Sequence, residues 1–328
     1  MHKNILVTGG AGFIGSNLVD ELMKNPENNV VVVDDLSTGT EETIMHHFSN
    51  PKFKFLNSDI RDYPRMEAAC MGIDCIYHLA VQCVRMSIFN PDLVHEVNTK
   101  GTLNMLKATL KNNVKKFVYV SSSEVYGSAE TIPMSEDHST NPTTVYGASK
   151  LAGEHYTKAF TNTYGLKTVI VRPFNSYGPR EHFEGPYGEV IPKFAIRINN
   201  NKPPLIFGDG NQTRDFTYVS DTVAGIILAG NSDELNGKEV NIARGEEVSI
   251  NNIATYILEA MNGDISPEYH PSRPADVVRH YADISKAREV LDFHPRIDIK
   301  TGIKLYLEWL KKQSVDFSKE TEFNWIKK

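Results

Sequence analysis

Three glycines near the start of the chain constrain its fold more than any other feature. Gly9, Gly12 and Gly15 follow the short apolar run Asn4 to Thr8, and apolar residues then recur at helical spacing over Gly12 to Lys24. Glycine lets the backbone turn tightly and approach a pyrophosphate, and a helix N-terminus offers unpaired N–H groups. The spacing G-x-x-G-x-x-G differs from the commoner G-x-G-x-x-G. With a strand before it and a helix after it, the motif nevertheless predicts a dinucleotide-binding turn.

Further short apolar runs alternate with helical patterns along the chain. The candidate strands are Val30 to Val33, Phe53 to Leu56, Cys75 to Leu79, Phe117 to Ser121, Thr168 to Arg172 and Val240 to Ile242. Strands that alternate with helices indicate a parallel sheet with helices on both faces. Because crossover connections are right-handed, a Rossmann-type doubly wound α/β fold is the leading topology.

The composition changes after Pro179, where glycine, proline and polar residues become dense. We expect a dinucleotide-binding Rossmann domain over residues 1–178 and 213–244. A smaller C-terminal substrate-binding domain is predicted over residues 179–212 and 245–328. Cofactor and substrate should then meet in the cleft between the two domains, outside the carboxyl ends of the strands.

The ends of the predicted strands carry residues that suit a dinucleotide. Asp34 ends the second strand, where a carboxylate accepts hydrogen bonds from the adenosine ribose and repels a 2′-phosphate. We therefore expect NAD rather than NADP. Asp59-Ile60 ends the third strand, where adenine would lie, and Leu79-Ala80-Val81 ends the fourth, where small and apolar residues admit the nicotinamide half.

Tyr146 and Lys150 are one helical turn apart in Tyr146-Gly147-Ala148-Ser149-Lys150. Free tyrosine has a pKa of about 10, which is too high for a good base at neutral pH. We expect the lysine ammonium, together with a positive nicotinamide ring, to lower the pKa of Tyr146 toward the range of a general base. The upstream run Ser121-Ser122-Ser123-Glu124 follows a predicted strand, where a hydroxyl can touch the same substrate oxygen. Beside a hydride carrier, these groups predict oxidation of an alcohol.

Bulk properties argue against several other classes of protein. The chain has 328 residues and a formal net charge of -6, which disfavours nucleic acid as a partner. No apolar run approaches the roughly 20 residues that span a bilayer. The N-terminus leaves no room for a signal peptide, and the three cysteines read as reduced thiols, so we expect a cytoplasmic protein. His46 and His47 show no metal-ligand spacing, and no metal is expected.

Together these motifs resemble an extended short-chain dehydrogenase/reductase of the NAD-dependent nucleotide-sugar epimerase/dehydratase family. The matching segments occur in family order: TGGAGFIGS, VVDDLSTG, SDIRD, HLA, VNTKGTLN, VSSSEVYG, YGASK, RPFNSYGPR, GDGNQTRDFTYVSD and RPADVVRHYADISKA. The resemblance implies a Rossmann-type domain that holds NAD and a C-terminal domain that binds a nucleotide-diphosphate (NDP) sugar. It also implies a homodimer packed through helices around Leu93 to Leu110 and Val145 to Tyr164.

The resemblance also implies roles for individual residues. Ser122, Tyr146 and Lys150 match the catalytic trio, in which Tyr146 deprotonates the sugar C4 hydroxyl, and Glu124 joins them as a candidate catalytic group. The expected cofactor contacts are Gly9, Gly12, Phe13, Ile14, Gly15, Asp34, Asp35, Ser37, Thr38, Gly39, Asp59, Ile60, Leu79, Ala80, Val81, Asn98, Ser121, Tyr146, Lys150, Pro173 and Phe174. The expected substrate contacts are Ser122, Ser123, Glu124, Asn175, Arg214 and Arg273. Arginine suits phosphate because it is always charged and forks onto phosphate oxygens.

Glu124 bears on the fate of the 4-keto sugar that oxidation at C4 produces. Elimination needs an acid and a base beyond C4, whereas epimerisation needs only room for the keto-sugar to rotate. Similar dehydratases and uronate decarboxylases carry a glutamate here, so we expect an NDP-hexose 4,6-dehydratase. An NDP-hexose 4-epimerase, like UDP-glucose 4-epimerase, and a UDP-glucuronate decarboxylase remain alternatives. Glu124 could also simply hold loop amides.

The identity of the hexose stays open at this point. Arg85, Ser87, His182, Glu184 and Glu189 fall in segments expected to line the sugar pocket, without assigned roles. A dinucleotide sensor or scaffold of the same fold is a further alternative. The intact Ser122, Tyr146 and Lys150 argue against it, because a sensor does not need a tuned base.

Overall fold

A parallel sheet lies at the centre of this computed structural model, which describes residues 3–183, 188–272 and 277–313. The strands are β1 (Asn4–Thr8), β2 (Asn29–Asp34), β3 (Phe53–Asn57), β4 (Cys75–His78), β5 (Lys116–Val120), β6 (Thr168–Pro173), β7 (Ser176–Tyr177), β8 (Leu205–Phe207), β9 (Thr213–Arg214), β10 (Thr217–Tyr218), β11 (Glu239–Ile242), β12 (Val248–Ser249) and β13 (Glu268–His270).

The helices connect the strands and flank the sheet. They are α1 (Phe13–Met23), α2 (Tyr63–Ala69), α3 (Met86–Phe89), α4 (Pro91–Val94), α5 (Thr102–Lys111), α6 (Val145–Tyr164), α7 (Val190–Asn199), α8 (Val219–Asn231), α9 (Ile250–Met261), α10 (Ser285–Leu291) and α11 (Ile299–Leu310). One π-helical turn, His95–Gly101, joins α4 to α5.

Seven of the described strands form the central sheet, in the order β3-β2-β1-β4-β5-β6-β11, and every neighbouring pair is parallel. The seven sequence-predicted strands and the doubly wound fold are thereby confirmed. The strand order reverses direction between β1 and β4. In such a sheet the ligand crevice lies at this switch point, outside the carboxyl ends of the strands.

Alternate residues of the central strands face two separate apolar cores. On β1, Ile5 and Val7 pack in the core beneath α1, α8 and α10, whereas Leu6 packs in the core beneath α2, α5 and α6. This alternation follows from the two-residue period of a strand. Burial of both faces explains why the central strands read as almost continuous apolar runs.

A third apolar cluster lies beyond the sheet. It joins α7, α9 and α11 and includes Ile196, Ile253, Ile303 and Tyr306, all with side chains shielded from solvent. The short strand pairs β10–β7, β12–β9 and β13–β8 belong to the same half of the chain. The cluster also includes Tyr177, Phe216 and Tyr218, which the predicted limits assign to the first domain, and those limits stay a prediction.

A buried ion pair fastens α6 to the sheet. Arg172 on β6 donates from Nε and Nη2 to the two carboxylate oxygens of Glu154, at 2.9 and 2.6 Å, and both side chains are 2% exposed. Arg172 also donates to the hydroxyl of Tyr126, which in turn donates to the amide oxygen of Asn241 at 2.7 Å. The network thus joins α6, β6, β11 and the segment after β5.

Removing one partner of this pair should be costly, because the other charge would stay buried without compensation. We expect Arg172→Met to lower the free energy of unfolding by about 3–5 kcal/mol, as measured by urea denaturation. Lys24→Met is the matched control, since it removes the cation of an exposed pair with Glu21. The control should lose about 0.5 kcal/mol or less. A cost near that of the control for Arg172→Met would contradict the role given to the pair.

Candidate active site

A cavity of about 540 Å³ opens at the carboxyl ends of the central strands. The four candidate catalytic residues Ser122, Glu124, Tyr146 and Lys150 line it. Its wall also contains these predicted cofactor contacts: Gly9, Gly12, Phe13, Ile14, Gly15, Asp34, Asp35, Ser37, Thr38, Asp59, Ile60, Leu79, Ala80, Val81, Ser121, Pro173 and Phe174. The fold therefore brings together residues that the sequence places up to 165 positions apart, from Gly9 to Phe174.

Two predicted cofactor contacts lie behind the cavity wall. A Cβ on Gly39 would come within 2.7 Å of the backbone of Ala11, so this glycine supports the glycine turn from outside. Asn98 is buried on the π-helical turn, where it accepts from the backbone N–H of Gln82 and donates to that residue's carbonyl and to Ser149. Neither residue lines the cavity, so their direct contact with the cofactor stays a prediction. Strand-end spacing predicts position along the crevice but not depth.

The three glycines of the first turn have different reasons to be glycine. Gly9 has φ +69°, and a Cβ there would lie 2.7 Å from the backbone nitrogen of Ala80. A Cβ on Gly15 would collide with the carbonyl oxygen of Gly9. At Gly12 the nearest atom to a Cβ is that same carbonyl oxygen, at an ordinary 3.4 Å. Packing within the protein therefore requires glycine at 9 and 15, whereas the open cavity beside Gly12 fits the close approach of a pyrophosphate.

Asp34 is held rigidly where an adenosine ribose would lie. Its carboxylate accepts from the backbone N–H groups of Ala11 and Leu36, both at 2.9 Å, and burial raises its pKa above the usual value. A carboxylate offers about four acceptor positions, so two backbone donors leave capacity for ribose hydroxyls.

Two buried hydroxyls of the cavity wall also suit a polar ligand. Within the described residues, Ser58 Oγ and Ser121 Oγ are shielded from solvent and make no hydrogen bond. Buried polar groups are normally paired, so both hydroxyls fit a bound dinucleotide. Sequence reasoning missed Ser58, since a single serine after β3 carries no signal of its own.

Tyr146 enters the cavity from the first turn of α6. Thr144 caps this helix by accepting from the backbone N–H of Gly147 at 3.0 Å. Burial raises the pKa of Tyr146, a hydrogen bond with Ser122 offsets this in part, and the negative charges of Glu124 and Glu189 raise it further. The expected lowering of this pKa is thus not produced by the protein groups themselves, because desolvation of the phenolate outweighs them.

Lys150 is buried one turn further along α6. Its ammonium donates to the carbonyl of Val120 at 2.6 Å and lies 4.5 Å from the ring centre of Tyr119. Burial lowers the pKa of Lys150 to about 7, against the opposing charge of Glu154. The cation is thus fixed by the end of β5 and faces the cavity beside Tyr146.

A second cavity, of about 170 Å³, adjoins the first on the side of α7. The two share a boundary formed by Arg85, Asn175, Ser176, Glu181, Glu189 and Arg214. Lys193, Arg197 and Phe207 line the second cavity alone. Its basic and aromatic side chains suit a nucleoside diphosphate. Of the predicted substrate contacts, Arg273 lies outside the described residues, as does Glu184 of the predicted sugar pocket.

The structure also brings together four polar side chains for which the sequence predicted no common site. His46 and His47 both direct Nε2 to one carboxylate oxygen of Asp20, at 2.8 Å, and Arg180 donates to the other at 2.6 Å. The candidate ligand atoms of the three residues Asp20, His46 and His47 lie within 4.8 Å of one another. The hydrogen bonds make this a junction between α1 and the segment that leads to Glu181.

Comparison with known proteins gives this site a context. The model of the NAD dependent epimerase/dehydratase family matches residues 5–243. The chain is 41% identical over 312 residues to a protein of Methanocaldococcus jannaschii named putative UDP-glucose 4-epimerase, covering 94% of this chain and 98% of that one. It is 37% identical to the UDP-glucose 4-epimerase of Mycolicibacterium smegmatis, over 94% and 99% of the two chains. It is also 33% identical to UDP-glucuronic acid decarboxylase 2 of Arabidopsis thaliana, over 96% and 70%.

Solved structures show the same fold. The UDP-glucose 4-epimerase of Thermotoga maritima, solved with UDP-glucose, matches with a TM-score of 0.89 and 35% identity, over 94% and 99% of the two chains. A dTDP-glucose 4,6-dehydratase of Streptomyces venezuelae, solved with NAD, matches with a TM-score of 0.87 and 29% identity, over 94% and 97%.

Gly12 offers a test of the dinucleotide cradle. We expect Gly12→Ala to change the free energy of unfolding by no more than about 1 kcal/mol, because the added Cβ meets only an ordinary contact. It should weaken NAD binding about tenfold or more, equivalent to 1.4 kcal/mol, as measured by calorimetry. Gly15→Ala should lose both stability and NAD binding. Normal NAD affinity in Gly12→Ala would contradict the placement of the pyrophosphate.

Proposed function

The chain belongs to the NAD-dependent epimerase/dehydratase family, and from this premise we propose that it interconverts the C4 epimers of an NDP-hexose. NAD is its cofactor. The observation that carries the proposal is the position of Tyr146 and Ser122. Both line the dinucleotide cavity close to its boundary with a second cavity suited to a nucleoside diphosphate.

The cofactor supplies one piece of chemistry, since bound NAD accepts a hydride from the sugar carbon and can return it to either face. The protein's own residues manage the proton and the position of the sugar. Ser122 Oγ, which accepts from the backbone N–H of Glu124 at 3.2 Å, is fixed at the start of a helical turn. It hydrogen-bonds the C4 oxygen while Tyr146 takes that oxygen's proton and later returns it.

Positive charge governs when Tyr146 acts as a base. Because burial and nearby carboxylates raise its pKa, the phenol stays protonated until cations are close to it. We assign one such charge to the ammonium of Lys150, which is anchored on the carbonyl of Val120 and lines the same cavity. Proton transfer by Tyr146 is thereby coupled to assembly of the complete site.

Arg214 would hold the other end of the substrate. Its Nη1 donates to the carbonyls of Thr213 and Val277, at 2.8 and 2.7 Å, which fixes the guanidinium at the boundary of the two cavities. There it suits the diphosphate, with Asn175 beside it. An anchored diphosphate leaves the hexose ring able to turn over between hydride removal and return, which is what epimerisation requires.

The similar proteins favour epimerisation over the 4,6-dehydratase that the sequence analysis preferred. The relatives at 41% and 37% identity carry the name UDP-glucose 4-epimerase. The preference for dehydration rested on Glu124 alone and is not confirmed. One observation keeps dehydration as a second candidate: Glu124 lines the same cavity as Ser122, and its charge acts on Tyr146. Decarboxylation of a uronate is the third.

Two further expectations remain proposals. We propose a homodimer through the helical segments that include α5 and α6, supported by apolar side chains exposed on or near them, such as Ile88, Phe89, Val145 and Tyr164. A cytoplasmic location is also proposed. None of the helices in the described ranges has the length and the apolar character needed to span a bilayer.

The first test concerns the base. We expect Tyr146→Phe to lower turnover about 10²- to 10⁴-fold while NAD and the nucleotide sugar still bind, because the hydroxyl moves a proton and contributes little to binding. Steady-state rates and calorimetric affinities separate these effects. Tyr164→Phe, at the far end of α6, is the control and should keep normal turnover. Near-normal turnover in Tyr146→Phe would rule out the proposed base.

The second test concerns the reaction. Purified protein is incubated with UDP-, dTDP-, GDP- and CDP-hexoses and with UDP-glucuronate, and the products are followed by mass spectrometry and chromatography. We expect a product of unchanged mass and new retention, which indicates a 4-epimer. Loss of water would instead indicate dehydration, and loss of carbon dioxide from a uronate would indicate decarboxylation.

Glu124→Gln makes this second test sharper. If epimerisation is the reaction, the variant should keep a rate within about tenfold of the wild type, since general acid–base groups contribute more than this. If the wild type dehydrates, the variant should lose that activity while C4 oxidation persists. A dehydrated product from the wild type would overturn the proposed epimerase.

A further inference from the structure

The charged side chains of the cleft are distributed unequally. Lys193 and Arg197 lie on the side of α7, in the cavity assigned to the nucleoside diphosphate. The cavity that contains Tyr146 is lined by Glu124, whereas Glu181, Glu189, Arg85 and Arg214 border both cavities. Resting on the proposed function, we infer that the sugar compartment selects an uncharged hexose and discriminates against a hexuronate, through the pairing of Arg85 with Glu189.

Arg85 is the residue that a uronate carboxylate would need. It lies on the loop after β4 and donates to both carboxylate oxygens of Glu189, at 2.6 and 3.2 Å. Its side chain is largely buried, and the pairing offsets burial and raises the pKa of Arg85. An arginine that binds a carboxylate in this forked way presents the same two donors that a uronate would use. Glu189 therefore already accepts from the two N–H groups with which Arg85 would otherwise bind the carboxylate of a uronate.

The position of Glu189 makes its charge relevant to the sugar. It immediately precedes α7 and lines both cavities, and its charge raises the pKa of Tyr146. With C4 placed at Tyr146 by the proposed function, Glu189 and Glu124 are close enough for their charges to act on the groups next to C4. A carboxylate at C6 would thus find the donors of Arg85 already taken by Glu189 and a further like charge on Glu124 nearby, which costs binding energy in a partly desolvated site.

Glu181 adds a group that suits hydroxyls. It is 4% exposed and accepts from the backbone N–H of Gly178 at 3.2 Å. Burial raises the pKa of Glu181 well above its usual range, and the charge of Glu189 raises it further. A neutral carboxyl group can both donate and accept hydrogen bonds. This wall thus matches the hydroxyls of an uncharged hexose.

The test compares two ligands that differ only at C6. The best-bound nucleoside diphosphate among UDP, dTDP, GDP and CDP is identified first by calorimetry on the NAD-loaded protein. The glucose and glucuronate esters of that nucleotide are then compared at one salt concentration. We expect the glucuronate ester to bind at least about tenfold more weakly than the glucose ester, equivalent to 1.4 kcal/mol.

Substitutions at the two members of the ion pair should change the ratio of the two affinities in opposite directions, and this is the main control. Glu189→Gln should release the Arg85 fork and narrow the ratio of the two affinities to within about threefold. Arg85→Gln should widen it, because Glu189 then loses the forked guanidinium of Arg85. Glu259→Gln, on the exposed surface of α9 beside Lys300, should leave the ratio unchanged.

The outcomes separate this inference from the proposed function. Equal or tighter binding of the glucuronate ester by the wild type would overturn the inference, as would an unchanged ratio in Glu189→Gln. If the glucose ester binds selectively but is never epimerised, the inference stands and the proposed epimerase fails. If none of the four diphosphates binds, both fail.

Discussion

The buried ion pair between Glu154 and Arg172 is the interaction on which the geometry of the site depends. Glu154 lies one helical turn beyond Lys150, so the pair fixes the rotation of α6 about its own axis. That rotation decides which side chains of α6 face the cleft. Because Arg172 also binds Tyr126, the same charge orients the segment that carries Ser122 and Glu124. Two separate stretches of chain are therefore aligned by one guanidinium.

The charge of the lining groups also differs between the parts of the cleft. The cofactor side offers backbone N–H groups and small side chains, the diphosphate side adds Lys193 and Arg197, and Glu181 and Glu189 stand with Arg85 and Arg214 at the boundary of the two cavities. Burial makes each of these groups act more strongly than it would in water. Lys150 and Tyr146 illustrate the effect, since desolvation lowers the pKa of Lys150 and raises that of Tyr146. Each group is thereby shifted toward its neutral form and becomes sensitive to the charges brought beside it.

Much of the sheet and of the site at its edge could be predicted from the sequence, because both depend on short stretches of chain. Each central strand is an apolar run buried on both faces, and parallel strands end at one edge, so residues such as Asp34 and Leu79 had to meet. Depth could not be predicted in this way, and neither Asn98 nor Gly39 is among the residues that line the cavity. The partner of Arg85 could not be predicted either, since Glu189 lies 104 positions away and belongs to no motif that contains Arg85. The pKa of Tyr146 depends on solvent exclusion, which spacing does not report.

The glycine turn of the cofactor site and the carboxyl side chains that line the sugar site differ in how much amino-acid substitution they tolerate. At Gly9 and Gly15 even a methyl group would strike backbone atoms, so lineages that keep the cofactor must keep these positions. The side chains of Glu124, Glu181 and Glu189 border the open space of the cavity instead. Substitutions at these three positions can thus change which sugar is accepted while the backbone of the glycine turn keeps its shape, although exchange of Glu124 or Glu189 also shifts the pKa of Tyr146.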